Sequence, residues 1–242
     1  MQIVVGGPDG GQPPQTAPRA APVPVRSAGA AQASYNRALA AIEPVSESMC
    51  RSVNPDFPPI ACDFNYRISN DPRLGANAFQ SIDRSGRPQV VFTLALLRQL
   101  RNDDEVAFIL GHEASHQISR HIQKTVAQER LGAALLGGLA AATGQADNTA
   151  VNRAASLGAL IGSRAYSKRF EIEADVLATY ISEFAGFDPV KGAAPFGRFE
   201  TGSSGFLATH PPSADRMQVV ERVAARIRAD RAAGRPPRPP RF

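Results

Sequence analysis

The stretch GHEASHQISRH at 111–121 holds three of the chain's four histidines. It lies inside DDEVAFILGHEASHQISRHIQKTVAQ, a segment whose spacing fits one long helix, with Asn102 and Glu105 as a capping-box-like start. At about 100° per residue, His112 and His116 stand about 40° apart on one face, so both imidazoles can reach one ion. Glu113 sits one residue round, within reach of a water beside that ion. The same arithmetic turns His121 about 140° away from His116, the place of a surface or helix-end histidine.

Zinc in a catalytic site takes three protein ligands and leaves the fourth position open. A third histidine at the end of H-E-x-x-H-x-x-G-x-x-H is one solution. Here the glycine position is Ser119, the histidine position is Ile122, and His121 falls one residue short. A carboxylate is the remaining choice. In FEIEAD, at 170–175, Glu171 and Asp175 are i and i+4 on one helix face, with Ala174 and Ala178 beside them. Gly111, Ser115 and Ser119 flank the histidines, so two helices can approach closely around an ion. Glu171 is then the ligand and Asp175 the acceptor for the outer N–H of a ligating histidine; Glu173, on another face, is the alternative ligand.

The chain has 242 residues, 43% of them hydrophobic, enough for one substantial core, while 20 Gly and 20 Pro mark parts that do not pack. Residues 1–33 read as a flexible Gly/Pro/Ala-rich arm, 34–228 as the folded domain and 229–242 as a basic, disordered tail. The pI of 9.7 belongs to the end of the chain. From Arg216 onward eight arginines face only Glu221 and Asp230, a net +6 against +5 for the whole sequence. The body is near neutral, so the tail reads as a solvated arm and no nucleic-acid partner is expected. No run of 18 apolar residues occurs, so no segment is expected to span a bilayer.

Cys50 and Cys62 bracket RSVNPDFPPIA, a spacing suited to a disulfide in an oxidising compartment. This favours an exported protein over a cytoplasmic one. The start MQIVVGG has neither a charged n-region nor an apolar h-region, so an export signal would have been removed or replaced.

Along the chain, a helix is expected over 33–51, kinked or split by Pro44. Strands follow at 64–69, 77–83 and 89–93, the last two joined through RSGRP, giving a small three-stranded sheet. Residues 131–162 suggest an apolar helical hairpin, packed in the core or serving as a lid or membrane-touching element. A helix over KRFEIEADVLATYISEF ends at Gly186, and a last amphipathic helix starts near Ser213.

Taken together, NAFQ, GHEASHQISRH, YSKRFEIEAD and THPPSADRM, in that order, resemble the M48 family of zinc metallopeptidases over about 60–225. The resemblance implies a gluzincin-type α+β fold, mostly helical, with the small sheet beside the active-site helix. It implies an endopeptidase holding one Zn2+ by His112, His116 and Glu171, with Glu113 as base and Asp175 behind a ligand. The family's membrane-spanning segments have no counterpart here, which points to its periplasmic branch, often engaged in envelope protein quality control. His210 gains a role only through this comparison: it steadies the transition-state oxyanion, or at rest fills zinc's open position. In the second case the segment ETGSSGFLATHPP acts as a gate.

Polypeptide substrates are expected to add as a strand along an exposed sheet edge, at Asn77, Ala78 and Phe79. The rival reading is a chaperone-like or binding protein that keeps zinc for stability and rarely cleaves.

Overall fold

The computed structural model describes residues 25–142, 166–198, 205–211 and 214–242. Ser27 accepts from the Ala30 amide and opens α1 (Ala28–Val53), which starts before the expected residue 33 and runs unbroken through Pro44. Pro44 is exposed, while Ala31, Tyr35, Ala38, Ile42 and Met49 bury one continuous face. Packing of that face outweighs the one backbone hydrogen bond that proline removes.

After a 3-10 turn at Pro59–Cys62 come β1 (Asn65–Ser69), β2 (Ala78–Ile82) and β3 (Pro88–Thr93). β3 is central, parallel to β1 and antiparallel to β2, with Phe92 opposite both Ile68 and Ala78. β2 is therefore an edge. Its hairpin to β3 turns on Asp83, whose carboxylate accepts from the Ser85 and Arg87 amides. Val90, Val91 and Phe92 are fully buried, each contributing about 1.5–3 kcal/mol of transfer free energy.

α2 (Leu94–Leu97) leads into α3 (Asp103–Ile118), buried at every position from Glu105 to Ile118. Asn102 accepts from the Glu105 amide, and Asp103, Asp104 and Glu105 complement the positive end of the helix. α3 packs between α1 and α5 (Lys168–Phe184), and α9 (Ala214–Ala232) lies against α5 on the other side. Between α5 and α9 in the chain come short helices α6 (Pro189–Gly192), which packs on α3 and α9, α7 (Pro195–Arg198) and α8 (Phe206–Thr209). The architecture is mostly helical with a small mixed sheet, as the sequence predicts.

One expected helix is two. α3 ends at Ile118, Arg120 takes a left-handed φ of 57°, and α4 (His121–Ala142) sets off in a new direction. Among the described residues Arg120 is the only non-glycine with positive φ. Such a conformation persists where its surroundings over-determine it. Its guanidinium donates to Asn54 Oδ1 at 2.8 Å, pairs with Asp56 and lies 4.2 Å over the Phe57 ring. Asn54, Asp56 and Phe57 all belong to the loop closed by the Cys50–Cys62 disulfide.

The apolar arms at 131–162 are helical as far as Ala142, and 143–165 lie outside the described residues. Within the tail read as disordered from 229, α9 continues to Ala232 and Arg235 donates to Asp230 Oδ1 at 2.7 Å.

Candidate metal centre

Close helix approach builds the site. A Cβ on Gly111 would stand 3.2 Å from Ile181 Cγ2 and 3.6 Å from Ala178 Cα, so glycine there lets α5 lie directly against α3. Ser167 caps α5 by accepting from the Phe170 amide, which puts Glu171 in its first turn opposite the two histidines.

His112 Nε2 and His116 Nε2 lie 3.1 Å apart. Glu171 Oε2 is 3.4 Å from the first and Glu171 Oε1 3.7 Å from the second. His210 Nδ1 completes the group, 3.2 Å from His112 Nε2 and 3.2 Å from Glu171 Oε1. All four residues are buried, and their ligand atoms lie within 4.8 Å of one another. Tetrahedral nitrogen ligands about 2.0–2.1 Å from an ion sit about 3.3 Å apart, so the spacing suits a metal.

Charge points the same way. The carboxylates of Glu113, Glu171 and Asp175 and the guanidinium of Arg216 are all buried here. In the neutral state in which imidazoles ligate a metal, three carboxylates facing one guanidinium would favour a divalent cation among them. Neither oxygen of Glu113 makes a hydrogen bond among the described residues, although His210 Nε2 stands 3.3 Å from Oε1.

Asp175 Oδ1 lies 3.0 Å from His112 Nδ1, the outer nitrogen of that ring. Arg216 holds Asp175 bidentately, Nε to Oδ2 at 2.6 Å and Nη2 to Oδ1 at 2.8 Å. Its Nη1 is 2.9 Å from Glu171 Oε2 and donates to the carbonyls of His210 and Pro211, both at 3.2 Å. One buried arginine thus ties the carboxylates of α5 to the segment bearing His210. The Phe196 ring covers it, 3.8 Å from the guanidinium carbon.

His210 is presented by α8, which rests on the entry to β2. The Phe206 amide donates to Ala76 O at 2.8 Å and Thr209 Oγ1 lies 3.4 Å from Asn77 Oδ1. Gly205, at φ +87°, permits this approach; a Cβ there would sit 3.1 Å from Ala76 O. Asn77, Ala78 and Phe79 therefore adjoin the metal cluster through α8, with Ala78 buried and Phe79 half-buried.

Burial pushes the Glu113 carboxyl up from its usual range. Burial, together with the neighbouring His112, holds His116 well below the ordinary imidazole value. At His112 burial acts downward too, but hydrogen bonds to Asp175 and Glu171 outweigh it and lift the group to about 9. Burial also takes His121 down to about 4, against the opposing pull of Glu173.

Two expectations need correction. His121 does stand at a helix end, as the first residue of α4, but it is no surface histidine: it is fully buried, with Nδ1 2.8 Å from His116 Nδ1. The projection assumed one helix through 128, whereas the left-handed turn at Arg120 folds His121 back over His116. Glu173, the alternative ligand, is outside the cluster and bonds His121 Nε2 through Oε2 at 3.1 Å. Sequence reasoning also passed over Tyr166, stacked 4.0 Å from the His116 ring, and Phe206, stacked 4.6 Å from His210. Tyr166 sits two residues before α5 in an otherwise polar YSKR, a faint signal; Phe206 gave none.

A buried pair of helix-borne histidines, a carboxylate from a second helix and a free glutamate beside them define a metallopeptidase-type centre. The sequence profile of Peptidase family M48 matches residues 39–224, and the chain belongs to that family. It is 25% identical over 178 residues to the beta-barrel assembly-enhancing protease of Escherichia coli (strain K12), covering 68% of this chain and 35% of that protein. It is 31% identical over 144 residues to the mitochondrial metalloendopeptidase OMA1 of Arabidopsis thaliana, covering 54% and 26%. With the OMA1 of Schizosaccharomyces pombe the identity is 28% over 135 residues, covering 52% and 38%. The chain thus spans little more than a third of the length of these relatives at most. Among the described residues no helix is long and apolar enough to cross a membrane.

Proposed function

We propose that this chain is a zinc-dependent endopeptidase in which His112, His116 and Glu171 hold the metal and Glu113 is the general base. The observation that carries the reading is the set of four buried ligand atoms within 4.8 Å of one another, beside a carboxylate that makes no hydrogen bond among the described residues. Two imidazoles and a carboxylate form a ligand set typical of catalytic zinc.

When bound, zinc acidifies a water and polarises the scissile carbonyl. Glu113 takes the proton from the water and delivers it to the leaving amine; its raised pKa suits both halves of that task. Asp175, fixed by Arg216, stands 3.0 Å from His112 Nδ1, placed to hold a proton there and leave His112 Nε2 as the ligating lone pair. At rest His210 would offer its Nδ1, 3.2 Å from His112 Nε2, as a further ligand, while its Nε2 faces the base.

Substrate adds as an extended strand on the free edge of β2, at Asn77, Ala78 and Phe79. In support, among the described residues β2 pairs only with β3, and its entry abuts the segment carrying His210. Main-chain pairing reads little sequence, which suits unfolded or misassembled clients. Envelope proteins are the proposed class, and an exported, periplasmic setting the proposed place. The Cys50–Cys62 disulfide supports an oxidising compartment, and the name of the Escherichia coli relative supports the client class.

The test is casein digestion with and without a chelator, alongside Glu113→Gln. Cleavage should need the metal, and Glu113→Gln should keep stoichiometric zinc while losing about 10²–10⁴-fold in rate. A rate retained in that variant sinks the mechanism.

A further inference from the structure

Beyond the four ligand atoms, the second imidazole of the cluster has an outer partner of its own. His116 Nδ1 lies 2.8 Å from His121 Nδ1, and His121 Nε2 lies 3.1 Å from Glu173 Oε2. Both histidines are fully buried and Glu173 nearly so. The rings are held from the side as well. His116 stacks on Tyr166 with planes 15° apart, and His121 on Phe170 at 4.4 Å with planes 12° apart. At the outer end, Arg169 Nε donates to Glu173 Oε1 at 2.8 Å and Lys124 Nζ is 3.6 Å from Oε2.

Counting protons along this row leaves one arrangement. An ionised Glu173 only accepts, so His121 Nε2 must carry the hydrogen. A neutral His121 then presents a lone pair at Nδ1, and His116 Nδ1 must donate to it. His116 Nε2 is left as the free lone pair, and that is the atom facing His112 Nε2 and Glu171 in the cluster. The opposite tautomer of His116 would place a hydrogen on Nε2 and set two lone pairs against each other at the Nδ1 contact.

We infer that His121 and Glu173 are positioning residues: a relay that fixes the tautomer and ring orientation of His116, as Asp175, 3.0 Å from His112 Nδ1, is placed to do for His112. The inference rests on the zinc reading above. It assigns work to a histidine that helical projection turns away from the site, and to a carboxylate that does not ligate. It also gives the left-handed turn at Arg120 a purpose, since that turn is what delivers His121 to His116. Outer partners of this kind typically alter metal affinity or activity by about 10–100-fold.

Zinc affinity, measured by competition with a chromophoric chelator, and the absorption bands of the cobalt-substituted protein test it on the full chain. His121→Phe keeps the stack on Phe170 but removes the acceptor. It should weaken zinc binding by about 10–100-fold and shift the cobalt bands. His121→Asn returns an acceptor near the Nδ1 position and should recover most of both. The relay is overturned if His121→Phe binds within about threefold of the parent with unchanged bands, because loss of an outer partner costs more than that. It is overturned equally if Phe and Asn lose zinc alike, which marks a packing role. Should His121→Phe fail to fold, Glu173→Met carries the test: it removes the acceptor for His121 Nε2, and an unchanged affinity and spectrum overturn the relay. A parent protein that binds no zinc fails earlier and overturns the metal reading itself.

Discussion

His210 Nε2 stands 3.3 Å from Glu113 Oε1 while its Nδ1 occupies a corner of the four-ligand group. One side chain therefore engages the base and the position that catalysis needs open. Under the proposed function this is a closed state, and His210→Ala should expose the fourth position. If closed forms outnumber open ones by about ten to one, a small zinc-directed hydroxamate should bind the variant about tenfold more tightly. Unchanged hydroxamate binding together with an unchanged cobalt spectrum would show that His210 does not cap the site.

Arg216 is fully buried and serves Asp175, Glu171 and the carbonyl of His210 at once. Arg216→Met keeps some bulk over Phe196 but strands two buried carboxylates. Breaking a buried pair from one side costs about 3–5 kcal/mol, so urea unfolding of the metal-free protein should move by about that amount. Lysine cannot reproduce the bidentate fork and should recover only part of the loss.

Much of this was legible in the sequence because it rests on local periodicity. His112, His116, Glu171 and Asp175 fall out of the i, i+4 rule once both segments are helical, and both are. His121 failed for the opposite reason. Its place depends on a left-handed residue held by Asn54, Asp56 and Phe57, more than sixty positions earlier in the chain. Periodicity carries no information about such a clamp, and arginine is an unexpected residue for that backbone. The same limit hid Phe196 and Phe206, whose roles come from tertiary stacking on Arg216 and His210. Pro44 misled in the other direction: its exposed position let the apolar face of α1 continue past it.

The loop between Cys50 and Cys62 reaches the end of α3 three times. Asn54 donates to Ile118 O at 2.9 Å, Gln117 donates to Ala61 O at 3.0 Å, and Arg120 donates to Asn54. Replacing both cysteines by serine should cost about 3 kcal/mol in unfolding free energy through the lost loop constraint. Because the loop also steadies Arg120, zinc affinity should drop in the same variant. A loss of stability with no change in zinc affinity would separate the loop from the site.

Gly205 offers a test of the closed state that leaves every charged group in place. Its φ of +87° and the 3.1 Å that a Cβ would keep from Ala76 O mean that alanine strains the segment only while α8 sits on the entry to β2. That strain amounts to about 1–3 kcal/mol and is relieved when the segment lifts away. Gly205→Ala should therefore favour the open form, tightening hydroxamate binding and raising the rate on an extended peptide, with little change in zinc affinity. Because the same contact covers the proposed substrate edge, Asn77 and Ala78 should become more accessible to solvent, read as faster amide exchange along β2. Slower peptide cleavage with unchanged exchange would instead place the closed arrangement of α8 on the productive path.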